Sequence, residues 1–215
     1  DGKPPAFKSG ELAKRSDQRA KAEAELKTAM ESGSRADVER LSKRTVRMEK
    51  SHKEECKRLL RLMGVPVVEA PCEAEAQCAK MCKDGVVWAV GTEDMDTMTF
   101  ASPRLVRHLN MSEAAKKELL LFDLPKALEG LEMTMTQFID MCILCGCDYL
   151  PPIKGIGPKK ALKFIRECGD MKTALQTIAD AKAKDGEKMF SIPPEYNHIE
   201  EVHALFTHPD VIEDT

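Results

Sequence analysis

The 215-residue chain is 42% hydrophobic, enough to bury a sizeable core, and no run of eighteen apolar residues suggests a membrane-spanning helix. Its net charge of −3 argues only weakly against a polyanionic partner, because the charge is uneven. Residues 1–60 hold 16 Lys and Arg against 11 Asp and Glu (+5), and the remainder 17 against 25 (−8), which suits a protein that meets a polyanion with one part and cations with another.

The opening "DGKPPAFKSG" has neither Met nor signal-peptide character and reads as the interior of a longer chain. Residues 10–62 predict polar helix, broken at "ESGSRAD", with Ser34 or Asp37 capping a second helix that runs to about Met63 and stops at Gly64. Few apolar positions occur in its first half, so this region should project or line a groove. "VPVVEA" (65–70) reads as a short buried strand, "CEAEAQCAKMCKDG" as a helix ending at Gly85, and "VVWAV" (86–90) as a second buried strand. That order predicts a parallel sheet with a right-handed crossover. "PRLVRHL" and "LLLFDL" add strands, and "TMTQFIDMCILCG" a helix capped at Thr134 or Thr136 and stopped by Gly146. "KGIGPKKALKFIRECG" is a glycine-opened turn and a Lys-rich helix with Pro158 at its first position. "MKTALQTIADAKA" and "NHIEEVHALF" are weaker helices. The eight Cys read as small, buried, reduced thiols, since "CILCGC" has no second pair with a nearby His to make a zinc site.

The acids fall where the chain leaves strands, the place where functional groups collect in open parallel sheets. Glu93, Asp94 and Asp96 lie within four residues, and acids this crowded repel one another unless a cation or basic groups offset them. Asp94 and Asp96, two apart on extended chain, share a face. Glu73 and Glu75 diverge by about 200° in a regular helix, so one would meet a metal directly and the other through water, unless the first turn is irregular. Asp148 completes five acids. Oxygen-only ligands suit Mg²⁺ or Mn²⁺, and two such ions ~4 Å apart activate a water and steady the leaving oxygen in phosphodiester cleavage. The alternative is a set of caps and solvated acids. In "KGIGPKK", backbone N–H groups around Gly155 and Gly157, with Lys154, Lys159 and Lys160, suit a phosphate without reading sequence. The alternative there is an ordinary helix–turn–helix corner.

"FKSGELAKR", "GVPVVEAPCEAEA", "GTEDMDTMTF", "CILCGCDYL" and "IKGIGPKKA", in this order, resemble the flap endonucleases of the structure-specific 5′-nuclease superfamily, over nearly the whole chain. The resemblance implies an α/β fold with a parallel-sheet, PIN-like nuclease core (64–134). A helical arch or gateway region would cover 1–63. A helix–two-turn–helix DNA-binding region with C-terminal helices would cover 135–215. It implies that Glu73, Glu75, Asp94, Asp96 and Asp148, joined by Asp1, hold two Mg²⁺ ions, with Mn²⁺ as a substitute. Lys8 and Arg15 would contact the scissile phosphate as catalytic residues. Lys154, Gly155, Gly157, Lys159 and Lys160 would bind duplex DNA. A K⁺ ion would use the backbone carbonyls of Ile153 and Ile156, Pro152 standing where many members carry Ser. The implied activity is 5′-flap endonuclease and 5′-3′ exonuclease cleavage in replication and base-excision repair. The expected location is nuclear, with mitochondria as a second site. A sliding clamp is an expected partner of the full-length protein, whose N-terminal part and clamp-binding tail are not in this sequence. A related 5′-exonuclease or gap nuclease, and a non-catalytic DNA-binding fragment, are the competing readings.

Overall fold

The computed structural model describes residues 1–109, 117–181 and 189–213. It divides into two units, Asp1–Phe7 with Ala70–Thr215, and Lys8–Glu69.

In the unit Lys8–Glu69 the polar sequence forms three helices, α1 (Ser9–Ser32), α2 (Arg35–Thr45) and α3 (Lys50–Leu62). Gly33 ends α1 in the left-handed region at φ 72°, a conformation that favours glycine. Ser34 then stands at the N-cap position of α2, its Oγ donating to Asp37 Oδ2 in the first turn at 2.7 Å. α1 and α2 close over the buried Ala22, Ala29 and Leu41, with Leu26 and Val38 packed half-buried against them, the sparse packing that the polar sequence dictates. The second helix does not run to Met63. It stops at Thr45, where Val46 turns to ψ 124°, and α3 begins after Glu49, whose N–H donates to His52 Nδ1 at 3.2 Å. The β-branched Thr45–Val46 pair weakens the helix at this point, and the new cap competes for the chain. α3 buries no residue, while Lys57 and Arg61 converge on Glu69 at 3.2 and 3.1 Å.

In the other unit, α4 (Ala74–Lys83) forms as expected, with Gly85 left-handed just beyond it. The strands differ from expectation. Residues 65–70 form no strand, and Val65 and Val68 are exposed. Pro66 offers no donor, and among the described residues no neighbouring edge takes up this segment's backbone groups. "VVWAV" is also neither long nor buried as a strand: only Val90–Gly91 pair, as β1, while Val86 and Trp88 are exposed. The Trp88 carbonyl is instead taken by the Arg104 guanidinium at 2.9 Å, which also lies over the indole. β2 (Arg104–Arg107) and β3 (Leu120–Asp123) complete a three-stranded sheet in the order β1-β2-β3. β1 and β2 are parallel, Val90 facing Leu105, and β3 runs antiparallel, Phe122 facing Leu105. The fold is α/β with helices dominant. Its parallel pair is β1 with β2, joined through the short helix α5 (Asp96–Thr99), in place of a crossover between 65–70 and 86–90.

Helix α6 (Leu124–Leu131) was not legible in the periodicity. Its start signal is local: Asp123 accepts the Lys126 N–H at 3.1 Å, and Pro125 occupies the first turn. α7 (Met135–Cys145) opens with a capping box in which Thr134 Oγ1 accepts the Gln137 N–H and Gln137 Oε1 accepts the Thr134 N–H. α8 (Pro158–Cys168), α9 (Met171–Asp180) and α10 (Ile199–Thr207) pack with α7 around Ile143, Leu144, Ile165, Ile178 and Val202, all buried. The α9 helix expected to reach residue 183 ends at Asp180, and residues 182–183 lie outside the described residues. All eight Cys are free thiols, but only Cys82 is buried; Cys56 is exposed and the others are half-buried, a correction to the expected interior set. Among the described residues no helix is long and apolar enough to cross a membrane.

Two outcomes follow from this packing. Ile143→Ala should lower unfolding free energy by about 2–5 kcal/mol in urea titration, because the site is closed on all sides. Asp140, buried on α7, accepts the Met171 N–H at 3.1 Å; burial raises its pKa above 3.8, against the pull of His203 and that bond. With the folded value above the unfolded one, the folded state binds the proton first, so this group's contribution to stability rises as pH falls through the folded pKa towards 3.8. Asp140→Asn should remove that rise in a pH series of melting curves.

Candidate metal centre and phosphate-binding turn

The site begins at the start of α4. Gly2 N–H donates to the Cys72 carbonyl at 2.7 Å and Lys3 N–H to the Pro71 carbonyl at 3.1 Å, laying residues 1–3 along the segment that leads into the helix. Asp1 Oδ1 then accepts the Ala74 N–H at 2.9 Å, satisfying one of the donors that a helix start leaves open. The approach is so close that a Cβ on Gly2 would run into the carbonyls of Pro71 and Ala70. Glu73 is the buried N-cap residue, with ψ 128° outside helical geometry, and Glu75 lies in the first turn. The two side chains therefore escape the 200° divergence of a regular helix. Carboxylate oxygens of Asp1, Glu73 and Glu75 all lie within 4.8 Å of one another.

The second acidic stretch does not leave its strand extended, as the sequence suggested. Thr92 Oγ1 accepts the Asp94 N–H, and Asp94 Oδ1 accepts the Asp96 N–H, both at 3.0 Å, so the chain turns into α5 with Asp96 as its first residue. Glu93 goes elsewhere. It accepts the His108 N–H at 2.6 Å and two bonds from Arg107 at 3.0 and 3.2 Å, which hold its carboxyl below the usual range, the His108 bond first. One of the three crowded acids is thus paired with a protein cation, Arg107.

Asp148 follows α7 after Gly146, whose φ of 110° favours glycine. Its neighbours report on the surrounding charge. The Tyr149 phenol is pushed up mainly by burial and then by the charges of Glu73 and Asp96. The Cys147 thiol is pushed up by burial and by the charges of Asp96 and Asp148, against two backbone bonds. Cys142 rises to about 12, chiefly through burial, with Asp96 contributing. Asp96 thus acts on Tyr149, Cys147 and Cys142, with Glu73 acting on Tyr149 and Asp148 on Cys147. Asp94 is tied to Asp96 by its bond to the Asp96 N–H. Tyr149 was not singled out in the sequence, although it directly follows Asp148.

The turn before α8 is held from below by Ile153 and Ile156, both buried, with the Ile156 N–H donating to the Ile153 carbonyl at 3.0 Å. Gly155 at φ 86° makes the turn left-handed, and Gly157 caps α8 with Pro158 at its first position. Lys154 and Lys159 are exposed here. Lys160 folds back instead, donating to the Gly155 carbonyl at 2.8 Å with its ammonium 4.9 Å from the Phe190 ring centre. It braces the turn. Lys8 and Arg15 belong to the unit Lys8–Glu69, Lys8 closing the turn Ala6–Lys8 and Arg15 donating to Glu11 at 3.0 Å on α1.

A family profile for the XPG I-region matches residues 64–148, the span from ahead of Glu73 to Asp148. Flap endonuclease 1 of Ostreococcus lucimarinus (strain CCE9901) is 55% identical over 215 residues, covering 100% of this chain and 53% of that protein. Over its whole length the chain is similar to the flap endonucleases. A solved structure of flap endonuclease-1 from Methanococcus jannaschii superposes with a TM-score of 0.64 at 33% identity, over 84% of this chain and 52% of that one. The Holliday junction-resolving enzyme GEN1, in complex with product DNA and Mg²⁺, gives a TM-score of 0.59 at 29% identity, over 78% and 45%. The chain spans about half the length of the flap endonuclease relatives it matches.

Because residues 1–3 are seated by close backbone contact, Gly2→Ala should detach them and cost about 1–3 kcal/mol of stability in denaturant unfolding. A variant as stable as the parent would show that this contact does not hold the segment.

Proposed function

We propose that the protein to which this chain belongs is a Mg²⁺-dependent nuclease that cleaves 5′ flaps on branched DNA. The observation that carries the reading is the convergence of Asp1, Glu73 and Glu75 to within 4.8 Å at one helix start. The donor set fits the ion: carboxylates only and several negative charges, which is what Mg²⁺ or Mn²⁺ prefers. Glu73, Glu75 and Asp1 would hold one position and Asp94, Asp96 and Asp148 the other. When bound, the ions supply Lewis acidity and lower the pKa of a water for in-line attack on phosphorus.

The protein's own groups do the rest. Tyr149, buried directly after Asp148, anchors that end of the acidic set in the core. Backbone N–H groups around Gly155 and Gly157, with Lys154 and Lys159, grip the DNA backbone without reading sequence, and Lys160 stiffens the turn. Lys8 and Arg15 would offset charge developing on the scissile phosphate, a role supported by the resemblance. A K⁺ ion on the Ile153 and Ile156 carbonyls, 5′-3′ exonuclease activity, sliding-clamp binding, and nuclear and mitochondrial roles in replication and base-excision repair belong to the same reading and rest on the resemblance alone. Support for DNA as substrate comes from the flap endonuclease relatives and from GEN1 solved with product DNA and Mg²⁺.

The full-length protein with a 5′-labelled flap substrate tests this. Cleavage in Mg²⁺ should vanish in EDTA and in Asp96→Ala, while the variant's DNA affinity stays within about threefold. Wild-type turnover by Asp96→Ala would remove the acids from the mechanism, and binding without any metal-dependent cleavage would favour the DNA-binding reading. Glu93→Gln should keep full activity, since Arg107 and His108 hold that carboxylate away from the set. Lys159→Ala should weaken duplex binding on every sequence alike and lower the salt slope by about 0.9.

A further inference from the structure

Helix α4 carries Glu73 and Glu75, so its rotation sets where their oxygens meet. One face of α4 start is held by Asp1, through the Ala74 N–H. A second hold comes from the far end of the sequence. Gln77, 3% exposed, donates from Nε2 to the Ile212 carbonyl at 3.2 Å, and the Ile212 N–H donates to Gln77 Oε1 at 2.8 Å. One side-chain amide thus satisfies both backbone groups of a residue 135 positions away, as a paired strand would. Gln77 lies four residues after Glu73, and its own N–H closes the first turn on the Glu73 carbonyl at 3.2 Å. One turn on, Lys80 bridges Glu213 and Asp84, each at 2.9 Å.

We infer that Gln77 is a positioning residue for the metal centre, clamping α4 to the 212–213 segment so that Glu73 and Glu75 stay converged before an ion binds. The inference deepens the proposed function and rests on it. Three converging carboxylates repel one another, and a helix free to roll would relax them apart. A buried amide with both bonds made resists rolling, and breaking those bonds leaves buried polar groups unsatisfied. Holding ligands in place ahead of the ion raises affinity by removing the cost of assembling them.

The test is Mn²⁺ binding to the metal-free full chain, read from the electron paramagnetic resonance signal of free Mn²⁺, beside circular dichroism and metal-free melting curves. Gln77→Leu keeps the side chain's bulk and removes both bonds, and should bind Mn²⁺ about fivefold more weakly. A residue that served the fold alone would lower the melting temperature and leave the affinity of the folded protein unchanged. Should Gln77→Leu fail to fold, Lys80→Met carries the test. Losing a positive charge there favours cation binding by itself, so weaker binding, about twofold, reports the loosened clamp. Affinity within experimental error of wild type in folded Gln77→Leu, or equal or tighter binding by Lys80→Met in its stead, overturns the inference. Absence of Mn²⁺ binding by the wild-type chain is a different result, which overturns the metal-centre reading beneath it.

Discussion

Like charges set the terms for this structure. Two carboxylates about 5 Å apart repel by about 3 kcal/mol at the effective dielectric of a protein surface, so three within 4.8 Å do not gather unless other forces hold them. The fold supplies several. The α4 start presents its positive end and free N–H groups to the acids, and Asp1 uses one of those donors directly. Residues 2–3 are tied by backbone bonds to residues 71–72, and Gln77 and Lys80 tie the helix to residues 212–213. Both ends of the described chain therefore meet at the helix that carries Glu73 and Glu75.

The remainder of the site is built by two chain reversals. At residues 92–96 a relay of side-chain acceptors, Thr92 and then Asp94, bends the chain into α5 and presents Asp96, while Glu93 is drawn off by Arg107 and His108. At residues 146–150 the left-handed Gly146 carries the chain from the buried helix α7 to Asp148 and then buries Tyr149. The following turn rests on Ile153 and Ile156 in the same core as Tyr149, so the glycine turn and the residue after Asp148 share one base.

How much of this the sequence carried depends on how local each signal was. The glycine stops at 85 and 146 and Pro158 at the start of α8 are short-range devices, and each was legible; the start of α7 was legible to within two residues, Thr134 or Thr136. Glu73 and Glu75 were legible as a pair, but their convergence depends on Glu73 standing outside the helix at ψ 128°, which no periodicity reveals. The strands were overread because apolar runs such as "VPVVEA" and "VVWAV" look buried, while pairing needs a partner edge; Pro66 and the Arg104–Trp88 contact redirected them. Glu93 looked like Asp94 and Asp96 until its tertiary partners, 14 and 15 residues away, were on view. Gln77 was invisible as a site residue, since its partner lies at the other end of the chain.

The central claim is that these acids were assembled to hold divalent cations. Crystals of the protein soaked in Mn²⁺ and measured at the manganese absorption edge would test it most directly. The account predicts anomalous peaks against Glu73, Glu75 and Asp1 and against Asp94, Asp96 and Asp148, two of them about 4 Å apart. No peak within ligand distance of those carboxylates, with manganese bound elsewhere on the molecule, would contradict it.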